Sequence, residues 1–345
     1  MRNNSNVRFY VIIPVYKAEN YVSECLDSVL SQTYQNFKII AVDDGSPDNS
    51  GDICDKYALK DDRITVVHKQ NEGQLSARSA GINLVLKECS ENDFVVFLDS
   101  DDYLSINALE IINSAICRND CDMVVYSIQR VFEGKYVADF SQTKPFVGTV
   151  DNKKELYNIV FNDFQYNSLC RKAISVKLLS QTDNSKYYHI RFGEDLLQCL
   201  PIYQKCKKAA FIPDVLYNYT FNPASVTSSI SFETFEVENT VRYEIYKFLK
   251  SENVWGKEDF EKYMSYCRNL LASDIKRICF FDVPFSKKLE LFKTINADEY
   301  YSIVLKDVPR KEVFLFAFKK QQYRLLVGYA TIRKLIGKLY HKIFG

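Results

Sequence analysis

Apolar residues near the start of the chain follow two alternating periods. Phe9–Val15 is a continuous apolar run, which is typical of a strand buried on both faces. From Val22 to Leu30 the apolar residues recur at helical spacing, which predicts a helix with one buried face. The same patterns predict further strands at Phe37–Val42, Ile64–Val67, Phe94–Leu98 and Met123–Ile128, and helices at Ser50–Lys60, at Leu75–Lys87 with Ile82, Val85 and Leu86 inward, and around Leu109–Ile116.

This alternation of strands and helices predicts an α/β protein with a mostly parallel sheet and helices on both faces. Residues 130–190 are less regular, and from about residue 232 onward apolar and charged residues mix at helical spacing. The chain has 345 residues, which favours two domains. We place the first at residues 1–228 and a mainly helical second one at residues 229–345.

Composition excludes several classes of protein. With 47% hydrophobic and 26% charged residues the chain is an ordinary globular one, and its net charge of +1 argues against a nucleic-acid partner. Ten cysteines without a CxxC pair favour a reducing cytoplasm. The longest apolar run, Val313–Phe318, is too short to span a membrane.

The C-terminal segment is strongly basic. Residues 306–345 carry a net charge of +8, and residues 325–345 alternate apolar and basic positions at helical spacing. We interpret this tail as an interfacial helix that holds the protein on anionic lipid at the inner face of the cell membrane. A helix packed in the C-terminal domain and an oligomer contact are the alternatives.

Acidic residues follow the second and fourth predicted strands, at Asp43-Asp44 and at Asp99-Ser100-Asp101-Asp102. Since parallel strands end at the same edge of a sheet, the two groups should converge there. Three carboxylates within four residues repel unless a cation neutralises them, and oxygen ligands suit Mg²⁺ or Mn²⁺. The alternative is a solvated turn that caps a helix.

No glycine-rich phosphate loop follows the first strand, which continues into Pro14-Val15-Tyr16-Lys17. Any phosphates must therefore be held by a metal ion and by side chains. Arg78 is a candidate for this role, and the alternative is an exposed arginine on a surface helix.

Five segments stand in order along the chain: Val11–Tyr16 with Glu19, Val42–Ser50, Asn71–Gly81, Leu98–Asp102 and Phe192–Asp195. They resemble the opening strand, the second loop, the glycine–arginine segment, the DxD metal motif and the ED motif of bacterial family-2 glycosyltransferases, which have the GT-A fold. Tyr217–Tyr219 resembles a later segment of that family. The resemblance covers residues 8 to about 227.

The resemblance implies inverting transfer of a sugar from a UDP-sugar to a hydroxyl group of a glycan or lipid-linked acceptor, in the synthesis of bacterial surface polysaccharide. Asp44 would accept from the uracil edge, Asp99 would contact ribose, and Asp101 would bind Mn²⁺ or Mg²⁺; contact of Asp102 with the metal is left open. The implied substrate-binding residues are Pro14, Val15, Tyr16, Glu19, Asp43, Asp44, Gly73, Arg78, Asp99, Ser100 and Glu194.

The resemblance also implies that Asp195 is the catalytic base, with Glu194 beside it. The alternative is that both acids only begin a helix, where negative charge is favoured. Two other functions are alternatives. A sugar-1-phosphate nucleotidyltransferase should have a glycine-rich loop after the first strand, and a non-catalytic sugar-binding module should lack Asp101 or Asp195.

Overall fold

The computed structural model describes residues 7–132, 135–139, 146–180, 185–190, 193–220, 232–280, 283–306, 308, 312–329 and 332. The chain forms two compact units, Met1–Val254 and Trp255–Gly345. The domain boundary predicted at 228/229 falls in residues 221–231, which lie outside the described part of the chain.

The first unit combines ten strands with seven helices in the described residues. The strands are β1 (Phe9–Val15), β2 (Phe37–Asp43), β3 (Ile64–His68), β4 (Phe94–Phe97), β5 (Tyr103–Leu104), β6 (Met123–Phe132), β7 (Lys135–Asp139), β8 (Gly148–Val150), β9 (Lys172–Ser175) and β10 (Ala209–Thr220). The helices are α1 (Val22–Leu30), α2 (Ser50–Ala58), α3 (Gln74–Glu88), α4 (Ala108–Asn119), α5 (Lys153–Asn162), α6 (Glu194–Lys205) and α7 (Phe232–Glu252). Short 3-10 helices lie at Phe164–Asn167, Leu169–Arg171, Val176–Leu178 and Ser185–Tyr187.

All ten strands belong to one sheet, whose main path runs β3-β2-β1-β4-β9-β6-β10-β5. The first four strands of this path are parallel, and β6 and β10 share their direction. β9 lies between β4 and β6 and is antiparallel to both. The predicted α/β fold with a mostly parallel sheet is therefore confirmed. The irregular pattern of residues 130–190 did not reveal β7, β8 or β9.

Helices cover both faces of the sheet. Neighbouring residues of β1 point to opposite sides, and since all of them are apolar, both sides must be buried. Phe9, Val11 and Ile13 belong to the same buried cluster as the apolar faces of α1 and α4. On the other side, α3 approaches so closely that a Cβ at Gly81 would lie 2.6 Å from Cγ2 of Ile12. Both helix layers were expected from the sequence.

α3 differs from the sequence prediction in the face that it buries. Ile82 and Leu86 are only half buried, although the apolar pattern predicts them inward. Its buried side instead carries Leu75, Ser76, Ala77, Arg78, Ser79, Gly81 and Val85. Small side chains let the helix lie close to β1 and β2, and this close packing buries the guanidinium of Arg78.

The second unit is helical in its described residues, as expected. Its helices are α8 (Lys257–Phe280), α9 (Phe285–Ala297), α10 (Glu299–Leu305) and α11 (Val313–Lys319). Within the described chain, we find no helix with the length and apolarity that crossing a membrane requires. Most of the tail at residues 325–345 lies outside the described part, so its interpretation as a membrane helix stays a prediction.

Candidate active site

β1 and β2 end side by side at one edge of the sheet. The parallel register pairs Val15 with Asp43, and the amide of Asp44 donates to the carbonyl oxygen of Val15 at 2.9 Å. Pairing of β1 with β4 stops at Ile12, so the missing N–H of Pro14 costs no bond on that side. The two loops that follow therefore begin at the same place.

These two loops are also joined by side chains. The carboxylate of Glu19 accepts from the backbone and side-chain N–H groups of Asn49 at 3.2 and 2.9 Å, and the amide of Ala18 donates to Oγ of Ser50 at 2.8 Å. Tyr16 projects from the first loop with 44% of its surface exposed. Its ring is thus available to a ligand at this edge.

Asp43 is held by the second loop and by β3. It accepts from the amide of Ser46 at 3.0 Å, and Nδ1 of His68 lies 3.0 Å from its other oxygen. Burial favours the neutral form of Asp43, but the bonds from Ser46 and His68 outweigh it and lower its pKa. Asp43 therefore stays ionised at neutral pH.

Asp44 is almost fully buried and joins β2 to the start of α3. It accepts from Nζ of Lys69 at 2.8 Å and from the amides of Glu72 and Gly73 at 3.1 and 2.7 Å. Gly73 has φ +99°, a conformation that favours glycine. This glycine places the first turn of α3 against the acidic residues.

The acidic segment after β4 divides into three environments. Asp102 faces the interior, where it accepts from the Tyr217 hydroxyl at 2.6 Å and from the Thr220 amide at 2.8 Å. Asp99 accepts from Gln74 at 2.7 Å and from Arg78 at 2.9 Å. No described side chain donates to the Asp101 carboxylate, so this group is available to a ligand.

The Asp101 carboxyl fits a cation site. Its burial and the neighbouring charge of Asp99 raise its pKa to about 6, so its ionised form is unfavourable without a positive partner. Magnesium in proteins is commonly held by one or two carboxylates together with substrate phosphates. Among the described residues there is no cluster of three metal-ligating side chains.

Arg78 connects the DxD segment to α6. Its guanidinium is buried, with 1% of the side chain exposed, and it bonds Asp99 through Nη2 and Asp195 through Nη1. Oε1 of Glu194 lies 3.8 Å from the same Nη1. One cation therefore balances three carboxylates that come from two distant parts of the sequence.

Asp195 lies in the first turn of α6 and is oriented by three donors. Besides Arg78, the Ser168 hydroxyl and the Leu169 amide donate to its Oδ2 at 3.1 and 3.0 Å. Its burial would raise the pKa, but the charge of Arg78 and these bonds prevail and lower it. The helix N-terminus favours the same charge.

The pKa of Glu194 is shifted in the opposite direction to that of Asp195. Burial and the neighbouring charge of Asp195 raise its pKa to about 7. Only 11% of its side chain is exposed, compared with 21% for Asp195. Gly193, with φ +79°, turns the chain into the helix just before both acids.

Comparison with known proteins identifies the family. The family model described as glycosyl transferase family 2 matches residues 10–179 of the chain. Glycosyltransferase GlyG of Streptococcus pneumoniae serotype 4 is 30% identical over 220 residues, which are 63% of this chain and 71% of GlyG. The chain belongs to glycosyl transferase family 2. The family expected from the five sequence segments is therefore confirmed.

Two further relatives of this family-2 glycosyltransferase are informative. Poly(ribitol-phosphate) beta-glucosyltransferase of Bacillus spizizenii is 30% identical over 219 residues, 62% of this chain but only 32% of that protein. The crystal structure of S. aureus TarS 1–349 has a TM-score of 0.68 at 20% identity, covering 95% of this chain and 92% of TarS 1–349. Its complex with UDP-GlcNAc has a TM-score of 0.60 at 23% identity, covering 94% and 88%. At these identities the two structures share the fold.

The structure brings the predicted site residues of this family-2 glycosyltransferase to one edge of the sheet. Gly73 bonds Asp44 and the next residue, Gln74, bonds Asp99, so the start of α3 joins the two acidic groups. Ser100, which stands between Asp99 and Asp101 in the sequence, is buried. Phe192, the first residue of the predicted ED motif, lies outside the described residues.

Some contact residues were missed by sequence reasoning. Ser168 lies in the segment without a readable motif, and Gln74 and Lys69 resemble ordinary polar residues at a helix start. The Tyr217 hydroxyl donates to Asp102 and accepts from the Asp99 amide at 3.2 Å, although the sequence indicated only that its segment resembles the family. No sequence signal pointed to Ser168.

The contact of His68 with Asp43 and Asp55 should make stability depend on pH. These two carboxylates raise the pKa of His68. The resulting stabilisation is full below the ordinary pKa of about 6.5 and is lost as the pH rises through the raised value. Because half of the His68 side chain is exposed, we expect under about 1 kcal/mol.

Urea unfolding of the wild type and of His68→Asn, at about pH 5 and about pH 9, measures this dependence. We expect the variant to be less stable than the wild type at the lower pH and nearly equal to it at the higher pH. The same difference at both pH values would contradict the assignment.

Proposed function

We propose that this chain is an inverting, metal-dependent glycosyltransferase that moves a sugar from a UDP-sugar to a hydroxyl group of a glycan or lipid-linked acceptor. The observation that carries the proposal is the bridge by Arg78, which bonds Asp99 and Asp195 at once. Through this bridge, Asp99, which we predict to bind the donor, and Asp195, the predicted base, contact the same guanidinium group. A donor whose ribose is held on Asp99 would therefore lie close to Asp195.

Names of relatives support the donor and the acceptor classes. TarS 1–349, which shares the fold, has been crystallised with UDP and with UDP-GlcNAc. The Bacillus spizizenii relative is named for glucosyl transfer to poly(ribitol-phosphate). We infer that this chain uses a UDP-hexose and acts in the synthesis of a bacterial surface polysaccharide.

The proposed reaction is one in-line displacement. The acceptor hydroxyl gives its proton to Asp195 while its oxygen forms a bond to the anomeric carbon. The bond from that carbon to the diphosphate oxygen breaks, and UDP leaves from the opposite face with the electron pair. The lowered pKa of Asp195 keeps its carboxylate ionised and able to accept the proton, and its greater exposure favours it over Glu194.

The donor would be held by the groups at the sheet edge. Asp44 is our candidate for the uracil N–H, and Asp99 for the ribose. Asp101, with or without Asp102, would hold Mn²⁺ or Mg²⁺. A divalent ion bound there supplies Lewis-acid stabilisation of the charge on the leaving diphosphate.

The place of action that we propose is the cytoplasmic face of the membrane. The tail at residues 325–345 has basic residues among apolar ones, and Leu325, Tyr329 and Ile332 are 66%, 52% and 58% exposed. Such a surface is suited to anionic lipid, where a lipid-linked acceptor would be found. A contact between copies of the chain is the alternative occupant.

Thermal unfolding with UDP, GDP, CMP or dTDP, each with and without Mn²⁺, tests the donor and the metal. We expect a Mn²⁺-dependent stabilisation by UDP alone, of about 2.7 kcal/mol at 100 times its Kd. Asp101→Asn should abolish the Mn²⁺-dependent part. Asp52→Asn, an exposed substitution on α2, is the matched control and should respond to UDP like the wild type.

Three outcomes would contradict parts of the proposal. An equal response to UDP with and without Mn²⁺ would reject the metal, and a response to another nucleotide would reject the UDP donor. UDP binding without any release of UDP from UDP-GlcNAc, UDP-glucose or UDP-galactose would favour a non-catalytic binding module.

A further inference from the structure

Lys172 is a fully buried cation that the proposed reaction does not use. It is the first residue of β9, opposite Val125 of β6, and none of its surface is exposed. No carboxylate of the described residues forms an ion pair with it. Burying an ammonium group costs several kcal/mol, and an apolar side chain of similar length would fill the same space without that cost.

The ammonium group holds two backbone carbonyls of one turn. Nζ of Lys172 donates to the carbonyl oxygens of Tyr166 and Ser168, and it lies 5.7 Å from the centre of the Tyr203 ring. Burial lowers the pKa of Lys172. The ammonium group of Lys172 thus gives the buried carbonyl oxygens of Tyr166 and Ser168 a hydrogen-bond donor, which buried carbonyl groups need.

Two side chains of α6 also bond the same turn. The Tyr203 hydroxyl donates to the Tyr166 carbonyl at 2.8 Å, and the Cys199 thiol donates to the Asn167 carbonyl at 3.6 Å. Three successive carbonyls, at residues 166, 167 and 168, therefore accept bonds from Lys172 and α6. This fixes the position of the turn relative to the helix that begins with Asp195.

The same turn also bonds Asp195. The Ser168 hydroxyl and the Leu169 amide are two of the three donors to its carboxylate, and both donate to Oδ2. If the turn moved, Asp195 would lose both bonds and keep Arg78 on its other oxygen. Its orientation toward an acceptor would then change.

We propose that Lys172 is a positioning residue for Asp195, acting through the turn at residues 166–169. The inference rests on the proposed function, because it assumes that Asp195 is the base. Within the described chain, Lys172 forms no hydrogen bond or ion pair with Asp195 or with a donor-binding residue, so its loss should affect the rate of the chemical step and leave donor binding unchanged. A misplacement of about 1 Å at a reacting group can reduce the rate up to 100-fold.

Lys172→Met removes the ammonium group and keeps an unbranched side chain. Hydrogen exchange of the full-length protein should become faster at residues 166–169 and stay unchanged in α1. The kcat for UDP release from UDP-GlcNAc, with water as acceptor, should fall roughly 10- to 100-fold with an unchanged KM. The matched control is Lys177→Met, at an exposed lysine near the same strand, which should change neither property.

Unchanged exchange at residues 166–169, or a raised KM with an unchanged kcat, would overturn the inference. If Lys172→Met does not fold, Tyr203→Phe tests the same link, because it removes one bond to the Tyr166 carbonyl without removing a charge. Tyr203→Phe should also make hydrogen exchange faster at residues 166–169 and lower the kcat. If it changes neither, the proposed link between this turn and Asp195 is rejected. A wild type that releases no UDP would reject the proposed function, while the exchange result still decides whether Lys172 holds the turn.

Discussion

Asp195→Asn should reduce the kcat for UDP release from UDP-GlcNAc by about 10²- to 10⁴-fold, the usual contribution of a general base. The amide has nearly the same shape as the carboxylate, and its oxygen can still accept from the Leu169 amide, so the site should keep its form. Stabilisation by UDP should match that of the wild type. Rates are measured by UDP release at saturating donor, and binding by thermal unfolding.

Comparison with Glu194→Gln decides between the two neighbouring acids. By pKa alone Glu194 would suit a base at neutral pH, whereas Asp195 is the more exposed and better oriented group. We expect a smaller loss for Glu194→Gln than for Asp195→Asn. The reverse order would assign the base to Glu194. Asp27→Asn on α1, outside the site, is the control for the substitution itself.

Arg78→Met should lower the free energy of unfolding by about 3–5 kcal/mol at neutral pH, because it leaves buried carboxylates without their cation. Asp99 and Asp195 both bond Arg78, and Glu194 lies near it. The pKa of Asp195 is lowered in the fold, so the stabilisation is present above its ordinary pKa and is lost as the pH falls. The difference from the wild type should therefore largely persist at about pH 4 and shrink as the pH falls further, through the lowered pKa of Asp195.

Urea unfolding at neutral pH and at about pH 3 measures this effect. Arg63→Met is the matched control, because Arg63 pairs with Asp61 at the surface, at 2.7 Å. There we expect a loss of under about 1 kcal/mol. A loss for Arg78→Met as small as that of the control would mean that the bridge between Asp99 and Asp195 contributes little to stability.

The local pattern of apolar residues was sufficient to predict the strands and helices of the first half of the sheet. The bounds of β1 and α1 are those that the apolar spacing predicts, because each of these elements buries a continuous face. The pattern was insufficient for α3, whose buried face consists mainly of small and polar residues. It also missed β9, a strand of four residues inserted between two others, because four residues carry no clear period.

The candidate site shows the same division. Asp43, Asp44, Asp99 and Asp101 follow strands, so the chain order alone predicts that they meet at one edge. Asp195 was indicated by a resemblance, and nothing in the sequence linked it to Arg78, 117 residues earlier. Such a contact depends on how α3 and α6 pack against the sheet.

The sequence by itself determined the α/β class, the order of the first strands and helices, the family and the acidic edge, because these follow from local periodicity and short motifs. Only the tertiary structure decided that Arg78 is buried among carboxylates and that Lys172 supports the turn beside Asp195. The physical reason is that a buried charge is defined by its partners. Those partners come from elements far apart in the chain, and only packing brings them within bonding distance.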